Sequence, residues 1–129
     1  MAIPLNDTVR TLIDAKNFAV VATLNDDGSP QTSVLWITRD GDDLLFCTVR
    51  GRRKERNLAR DPRVSVTVID ATDGYSYVEL RGTVTMTDEG GRELINALAQ
   101  KYHGRDFGDE PPANVRVVVR VNADKVVEH

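Results

Sequence analysis

Cysteine and tryptophan occur once each in these 129 residues, and histidine twice. With Cys47 alone, an intramolecular disulfide is impossible and a cysteine-rich metal site is excluded. His103 and His129 are far apart and lack partners at ligand spacing, which argues against a metal centre. No apolar run reaches the ~20 residues that span a bilayer, and the N-terminus lacks the charged-then-apolar pattern of a signal peptide. The expectation is a cytoplasmic protein with no membrane partner. Ser29 and Ser33 lie outside a GxSxG setting, so a hydrolase triad has no support. The GxxxxGK[ST] spacing of a P-loop is missing too. Repeats, linkers and low-complexity tracts are absent, so residues 1–129 read as a single domain.

What is present is an ordinary globular composition, 40% hydrophobic and 29% charged. The charge is unevenly spread. The chain is net −3, yet residues 50–63 hold seven basic and two acidic side chains, leaving +5 there and −8 elsewhere. An acidic protein that gathers positive charge in one short stretch has reason to hold an anion there.

Along the chain, Asn6 or Asp7 can cap a helix with Leu5, Val9, Leu12 and Ile13 on one face, ending near Asn17. Three β runs follow, Phe18 to Leu24, Gln31 to Thr38 and Leu44 to Val49, separated by Asp/Gly turns as in an antiparallel meander. Arg52 to Arg60 reads as a short helix stopped by Asp61-Pro62, with Leu58 and Ala59 as its only apolar residues. So thin a stripe gains little from core burial. Val64 to Ile69 and Tyr75 to Met86 are further strands, and Gly82 marks a bulge or a close backbone approach in the second. Asp88 to Tyr102 is a helix weakened at its start by Gly90 and Gly91. A polar loop from His103 to Asn114 leads to a last alternating strand from Val115; the loop acids Asp106, Asp109 and Glu110 read as solvated surface or a mobile lid. Six strands joined mainly by hairpins, with flanking helices, argue for a mainly β, α+β fold built on a closed or nearly closed antiparallel barrel.

Chemistry concentrates at Thr48 and at Arg50-Gly51-Arg52-Arg53-Lys54, where a strand turns at a glycine into a helix N-terminus. Free backbone amides, the helix dipole and basic side chains there suit a phosphate group. A solvated basic face is the competing reading. The second candidate is the strand Gln31-Thr32-Ser33-Val34-Leu35-Trp36, whose alternation puts Gln31 and Ser33 beside Leu35 on one face. Its polar side chains can hydrogen-bond a planar ring edge, while Trp36 either packs on a ring or, as is commoner, fills the core. Cys47 reads as a buried small residue.

The order of elements, with Gly28-Ser29-Pro30-Gln31 entering a strand and then Thr48, Arg52-Arg53-Lys54, Asn57-Leu58 and Asp61-Pro62-Arg63-Val64, resembles the pyridoxamine 5′-phosphate oxidase-like split-barrel superfamily. The short chain and extra arginines resemble its deazaflavin-dependent branch, the flavin/deazaflavin oxidoreductases. The resemblance implies an FMN-binding-like six-stranded split barrel and a homodimer with cofactor sites at the subunit interface. It places Thr48, Arg53 and Lys54 at the cofactor phosphate and Ser33, Val34, Leu35 and Trp36 along the tricyclic ring. Ser33 stands where the oxidases proper carry a phosphate-binding arginine, and their C-terminal substrate-phosphate residues are not recognisable here; both departures count against a true pyridoxamine phosphate oxidase. Arg50, Arg52 and Arg56 suit the polyanionic tail of coenzyme F420, which FMN lacks.

The function expected is therefore hydride transfer from reduced F420 to an electron-poor small-molecule acceptor, such as an activated alkene, a quinone or a biliverdin-like tetrapyrrole. The cofactor carries the chemistry, so no catalytic residue is assigned. The alternatives are an FMN-dependent oxidoreductase of the same superfamily, or a flavin-, deazaflavin- or haem-binding protein without turnover. Nucleic acid is not an expected partner, because the basic cluster is short, the net charge is negative and aromatics are not interleaved with the bases.

Overall fold

The structure, a computed structural model, describes residues 3–129. Helix α1 (Asp7–Asp14) starts where Asn6 Oδ1 accepts from the Val9 amide at 2.9 Å, and it buries Val9 and Ile13. The strands are β1 (Ala19–Leu24), β2 (Pro30–Leu35), β3 (Thr38–Asp40), β4 (Asp43–Val49), β5 (Arg63–Asp70), β6 (Asp73–Thr87) and β7 (Arg116–Glu128). Helix α2 (Arg53–Arg60) joins β4 to β5, and α3 (Gly91–His103) follows β6.

All strand pairs are antiparallel, in the order β2-β1-β5-β6-β7-β4-β3. The two edges, β2 and β3, are consecutive in the chain. Laid flat, seven strands would hold their outer members ~29 Å apart at ~4.8 Å per step. Leu35 and Thr38 are only three residue steps apart, at most ~11 Å. The sheet must therefore curl until its edges meet at Trp36–Ile37, which is how the α+β split barrel arises.

This junction corrects the strand count from six to seven. The run Gln31 to Thr38 is not one strand, because β2 pairs with β1 while β3 pairs with β4 at the other edge. Gly82 provides both features foreseen for it. The β6–β7 register shifts between Arg81 and Gly82, and a Cβ there would lie 2.0 Å from the Asn122 carbonyl oxygen.

The barrel interior is filled by one cluster that includes Ile13, Val21, Ile37, Leu44, Phe46, Leu80 and Val119, each 0% exposed. Burial of each such side chain is worth roughly 1.5–3 kcal/mol. Helix α1 adds Val9 and Ile13 to this core, and Leu5 joins it from just before the helix. Helix α3 buries Leu94, Ile95, Leu98 and Ala99 outside it, against β4 and β7. Its glycines earn their place at the start: Gly90 adopts φ +83, and a Cβ on Gly91 would sit 2.1 Å from the Arg116 carbonyl oxygen.

Helix α2 is better anchored than its apolar content implies. Leu58 joins the core, and Asn57, 0% exposed, donates from Nδ2 to Thr23 Oγ1 and Asn25 Oδ1, both at 3.0 Å. Glu55 Oε1 accepts from the Gly51 amide at 2.7 Å, a variant of the capping box that fixes the turn into the helix.

Candidate functional site

Outside the barrel core, β2, β4, the start of α2, and α3 with its following loop enclose a cleft of about 310 Å³. This lies at the lower end of the ~300–1,000 Å³ typical of small-molecule sites. Val34, Leu35 and Trp36 form one wall, and Arg52 and Lys54 contribute bases from α2. Phe18, Cys47, Ile95, Leu98, Phe107 and Arg116 complete it. Among the described residues, no carboxylate lines this cleft.

Turning at Gly51, φ +92, the chain enters α2 without a side-chain cap, which leaves the amides of its first turn available to an acceptor. The N-terminal side of this helix serves two hollows. Arg52 and Lys54 line the cleft, while Arg53 and Gln31 line a second, open hollow of about 510 Å³ together with Asn25, Asp26 and Asp27. Gln31 also lies 3.5 Å from Thr23 Oγ1, on the network that holds Asn57.

Lys54 is half-buried, and its Nζ donates to Ser33 Oγ at 2.9 Å. Burial pushes its pKa below the ordinary lysine value, and the neighbouring Arg52 adds to the effect. A neutral hydroxyl does not offset that cost; an anion would.

The seven bases of residues 50–63 divide cleanly. Arg50 pairs with Asp88 at 3.6 Å, Arg60 with Asp26 at 2.5 Å and Arg63 with Asp61 at 2.7 Å. Arg52, Arg53, Lys54 and Arg56 have no carboxylate within ion-pair distance among the described residues. Arg50 thus belongs to a surface pair rather than to the cleft lining. Thr48 is 2% exposed and shares the interior face of β4 with Phe46, and its Oγ1 has no hydrogen-bond partner among the described residues.

Trp36 does not fill the core. It is half-buried on the cleft wall, stacked on Tyr102 with ring centroids 5.4 Å apart and planes 10° apart. The edges of His103 and Phe107 meet it at 5.0 Å and 6.4 Å. Cys47 is likewise only partly buried, and that burial raises its thiol pKa.

Glu110 is not solvated surface. Its carboxylate is 9% exposed, accepts from Arg116 Nε at 3.0 Å and also pairs with Arg92. Arg116 holds its pKa down at about 2, with Asn114 and Arg92 assisting. The same guanidinium lies 4.8 Å from the Phe107 ring centroid. One network therefore fixes the loop after α3 against the cleft.

Sequence periodicity does not single out Phe18, Phe107 or Arg116, which reach the cleft from three separate segments. In the fold, Phe18 and Phe107 stand out as aromatics at exposed positions, 50% and 38%.

Among the described residues, no helix is long and apolar enough to cross a membrane, and no group of three or more His, Cys, Asp or Glu is placed to hold a metal ion.

Comparison with known proteins places this geometry. A solved structure named F420 Reductase superposes with a TM-score of 0.83 at 28% identity, covering 95% of this chain and 98% of that one. A conserved hypothetical protein of Mycobacterium tuberculosis matches with a TM-score of 0.79 at 22% identity, over 98% of this chain and 85% of that one. General Stress Protein 26 of Bacillus anthracis matches at 0.73 and 19% identity, over 95% and 91%. The latter two show the shared fold. The family model described as pyridoxamine 5′-phosphate oxidase matches residues 5–129, so the chain belongs to the pyridoxamine 5′-phosphate oxidase family, within its split-barrel superfamily.

Proposed function

We propose that this protein is a flavin-type oxidoreductase that binds coenzyme F420, with FMN as the alternative, and passes hydride to an electron-poor organic acceptor of the alkene, quinone or biliverdin-like class. The observation that carries the reading is the set of four bases on and beside the first turns of α2 that lack acid partners among the described residues, one of them a half-buried lysine facing only a hydroxyl. Family membership and the likeness to a structure named F420 Reductase support a flavin- or deazaflavin-binding oxidoreductase.

The residues fit such a group. A helix start without a side-chain cap and bases without acid partners among the described residues suit a phosphate, and just before them Thr48 Oγ1, on the interior face of β4, is a buried hydroxyl without a partner among the described residues. We assign Lys54 and Arg53 to the phosphate, with Arg52 and Arg56 as the bases available to an anionic tail; Arg50 would have to leave Asp88 to join them. Ser33 would orient Lys54, and Gln31 would offer its amide beside Arg53. Val34, Leu35 and Trp36 would supply the apolar surface for a planar ring. The bound deazaflavin or flavin would supply the hydride chemistry, and the chain would supply position and charge.

Half-exposed Val20, Ala22 and Leu24 of β1, beside Ser65, Thr67 and Ile69 of β5, form an uncharged outer face next to β2. We place a second copy of the chain there, so that the working unit is a homodimer, and its mass by analytical ultracentrifugation checks this.

Titration of the purified protein with F420 and with FMN, followed by fluorescence, tests the cofactor. Tight FMN binding without a deazaflavin response reverses the choice. The paired substitution Arg53→Ala with Lys54→Ala should abolish binding of either cofactor while circular dichroism stays unchanged. Retained binding removes the phosphate assignment. Binding without turnover over a panel of acceptors would make the protein a carrier.

A further inference from the structure

Where the edges of the sheet meet, Ile37 lies between β2 and β3, outside the strand ladder on either side. Its side chain is 0% exposed, so its backbone groups need partners within the protein. They find them on two successive residues of the last turn of α3. Tyr102 Oη accepts from the Ile37 amide at 3.2 Å and donates to the Asn17 carbonyl at 2.5 Å. Lys101 Nζ donates to the carbonyls of Ile37 and Ile13, both at 2.7 Å. One turn of helix thus ties the strand junction, the end of α1 and the entry to β1.

The ring of Tyr102 extends that mooring into the cleft. It stacks on Trp36 and, at 5.7 Å and 26°, on Phe18. Trp36 in turn meets Phe107 edge-on. The three aromatic residues of the cleft wall are therefore linked directly or in series to Tyr102, and the backbone on which Trp36 stands is held one residue away by Lys101 and the Tyr102 hydroxyl.

We infer that Lys101 and Tyr102 are positioning residues: they set the orientation of Trp36 and so the shape of the apolar wall that receives a planar ligand. This rests on the reading of the cleft as a ligand site, but it concerns two side chains that donate into backbone carbonyls and are not among the residues lining the cleft.

The lone tryptophan makes the test direct. Tyr102→Phe keeps the ring and deletes both hydroxyl contacts; Lys101→Met keeps the aliphatic stem and deletes the ammonium. In protein without added cofactor, both should red-shift Trp36 emission and raise its quenching by acrylamide, with far-ultraviolet circular dichroism unchanged. Lys101→Arg, which retains donors for the two carbonyls, should restore the parent emission. With FMN and F420 as probes, affinity should fall by about fivefold in Tyr102→Phe, the scale of a lost neutral hydrogen bond. Parent-like emission and quenching in folded Tyr102→Phe and Lys101→Met would overturn the inference, as would shifted emission with unaltered affinity in a parent that binds. If the parent binds neither probe, the cofactor reading falls, and the emission data still decide whether α3 positions Trp36. Should Tyr102→Phe not fold, the Lys101→Met and Lys101→Arg pair gives the same readout.

Discussion

Lys54 Nζ donates to Ser33 Oγ across 2.9 Å, joining the first turn of α2 to the middle of β2. Burial depresses the lysine pKa, and an arriving anion restores it, so anion binding takes up a proton wherever free Lys54 is neutral. Cofactor affinity should be highest below the Lys54 pKa and fall as pH rises through it. Lys54→Arg should flatten that profile, since arginine stays charged. Lys54→Ala should weaken binding by about 10- to 150-fold, the range of one hydrogen bond to a charged group. Fluorescence titrations across alkaline pH check all three outcomes.

Arg52 and Arg53 are adjacent but line different hollows. If the longer anionic tail of F420 uses the exposed bases, Arg52→Gln and Arg56→Gln should lower F420 affinity more than FMN affinity. Arg53→Gln should lower both. Parallel titrations of the two cofactors measure the discrimination.

The polar anchor of α2 predicts a stability effect away from the ligand. Asn57→Ala leaves Thr23 and Asn25 without their shared donor in a site where Asn57 is 0% exposed. The expected loss is about 1–3 kcal/mol in urea unfolding.

Close backbone approaches predict a contrast among glycines. A Cβ at Gly82 or Gly91 would lie 2.0 or 2.1 Å from a carbonyl oxygen, whereas Gly74 has open space. Gly82→Ala and Gly91→Ala should each destabilise by about 1–3 kcal/mol, as overpacking does. Gly74→Ala should melt like the parent. Thermal unfolding of the three variants separates the cases.

Lys101 sets a pH dependence of stability. Burial lowers its pKa to about 8, against the attraction of Asp14, which is itself paired with Arg39 and lies near Arg10. Tyr102 is the other titratable group beside it, and burial raises that phenol. Between the folded value and the ordinary lysine value the unfolded chain binds more protons, so this residue makes the fold gain stability as pH rises through that window. The gain is of order 1 kcal/mol once partial exposure is allowed for. Unfolding of the parent and of Lys101→Met from neutral to alkaline pH should show a stability change more positive in the parent than in the variant, the difference being the contribution of Lys101.

Much of this architecture is legible in the residues. Alternation in the strands, the Asp/Gly turns and the Asn6 cap are local properties, and Gly82 is marked by interrupting an otherwise apolar row. The break at Trp36–Ile37 is not legible, because Trp36-Ile37-Thr38 continues a good β pattern; the Ile37 amide leaves the ladder for Tyr102, 65 residues away. A hydrophobic stripe also misjudges α2, whose hold on the barrel runs through Asn57 and Glu55. At the cleft, the basic segment is visible as a charge excess, but which bases are already paired depends on Asp26, Asp61 and Asp88 in the fold. Phe107 and Arg116 belong to the cleft through the Glu110 network, a tertiary relation with no sequence period.

The place of β7 between β6 and β4 has a consequence for how the protein is made. Until residues 116–128 leave the ribosome, β4 and β6 each have a bare edge, and the apolar row of Leu44 and Phe46 lacks its partners Val121 and Val119. A nascent or nicked chain missing that segment carries two unprotected templates for intermolecular pairing. Adding this strand thus closes both templates within the chain's own sheet.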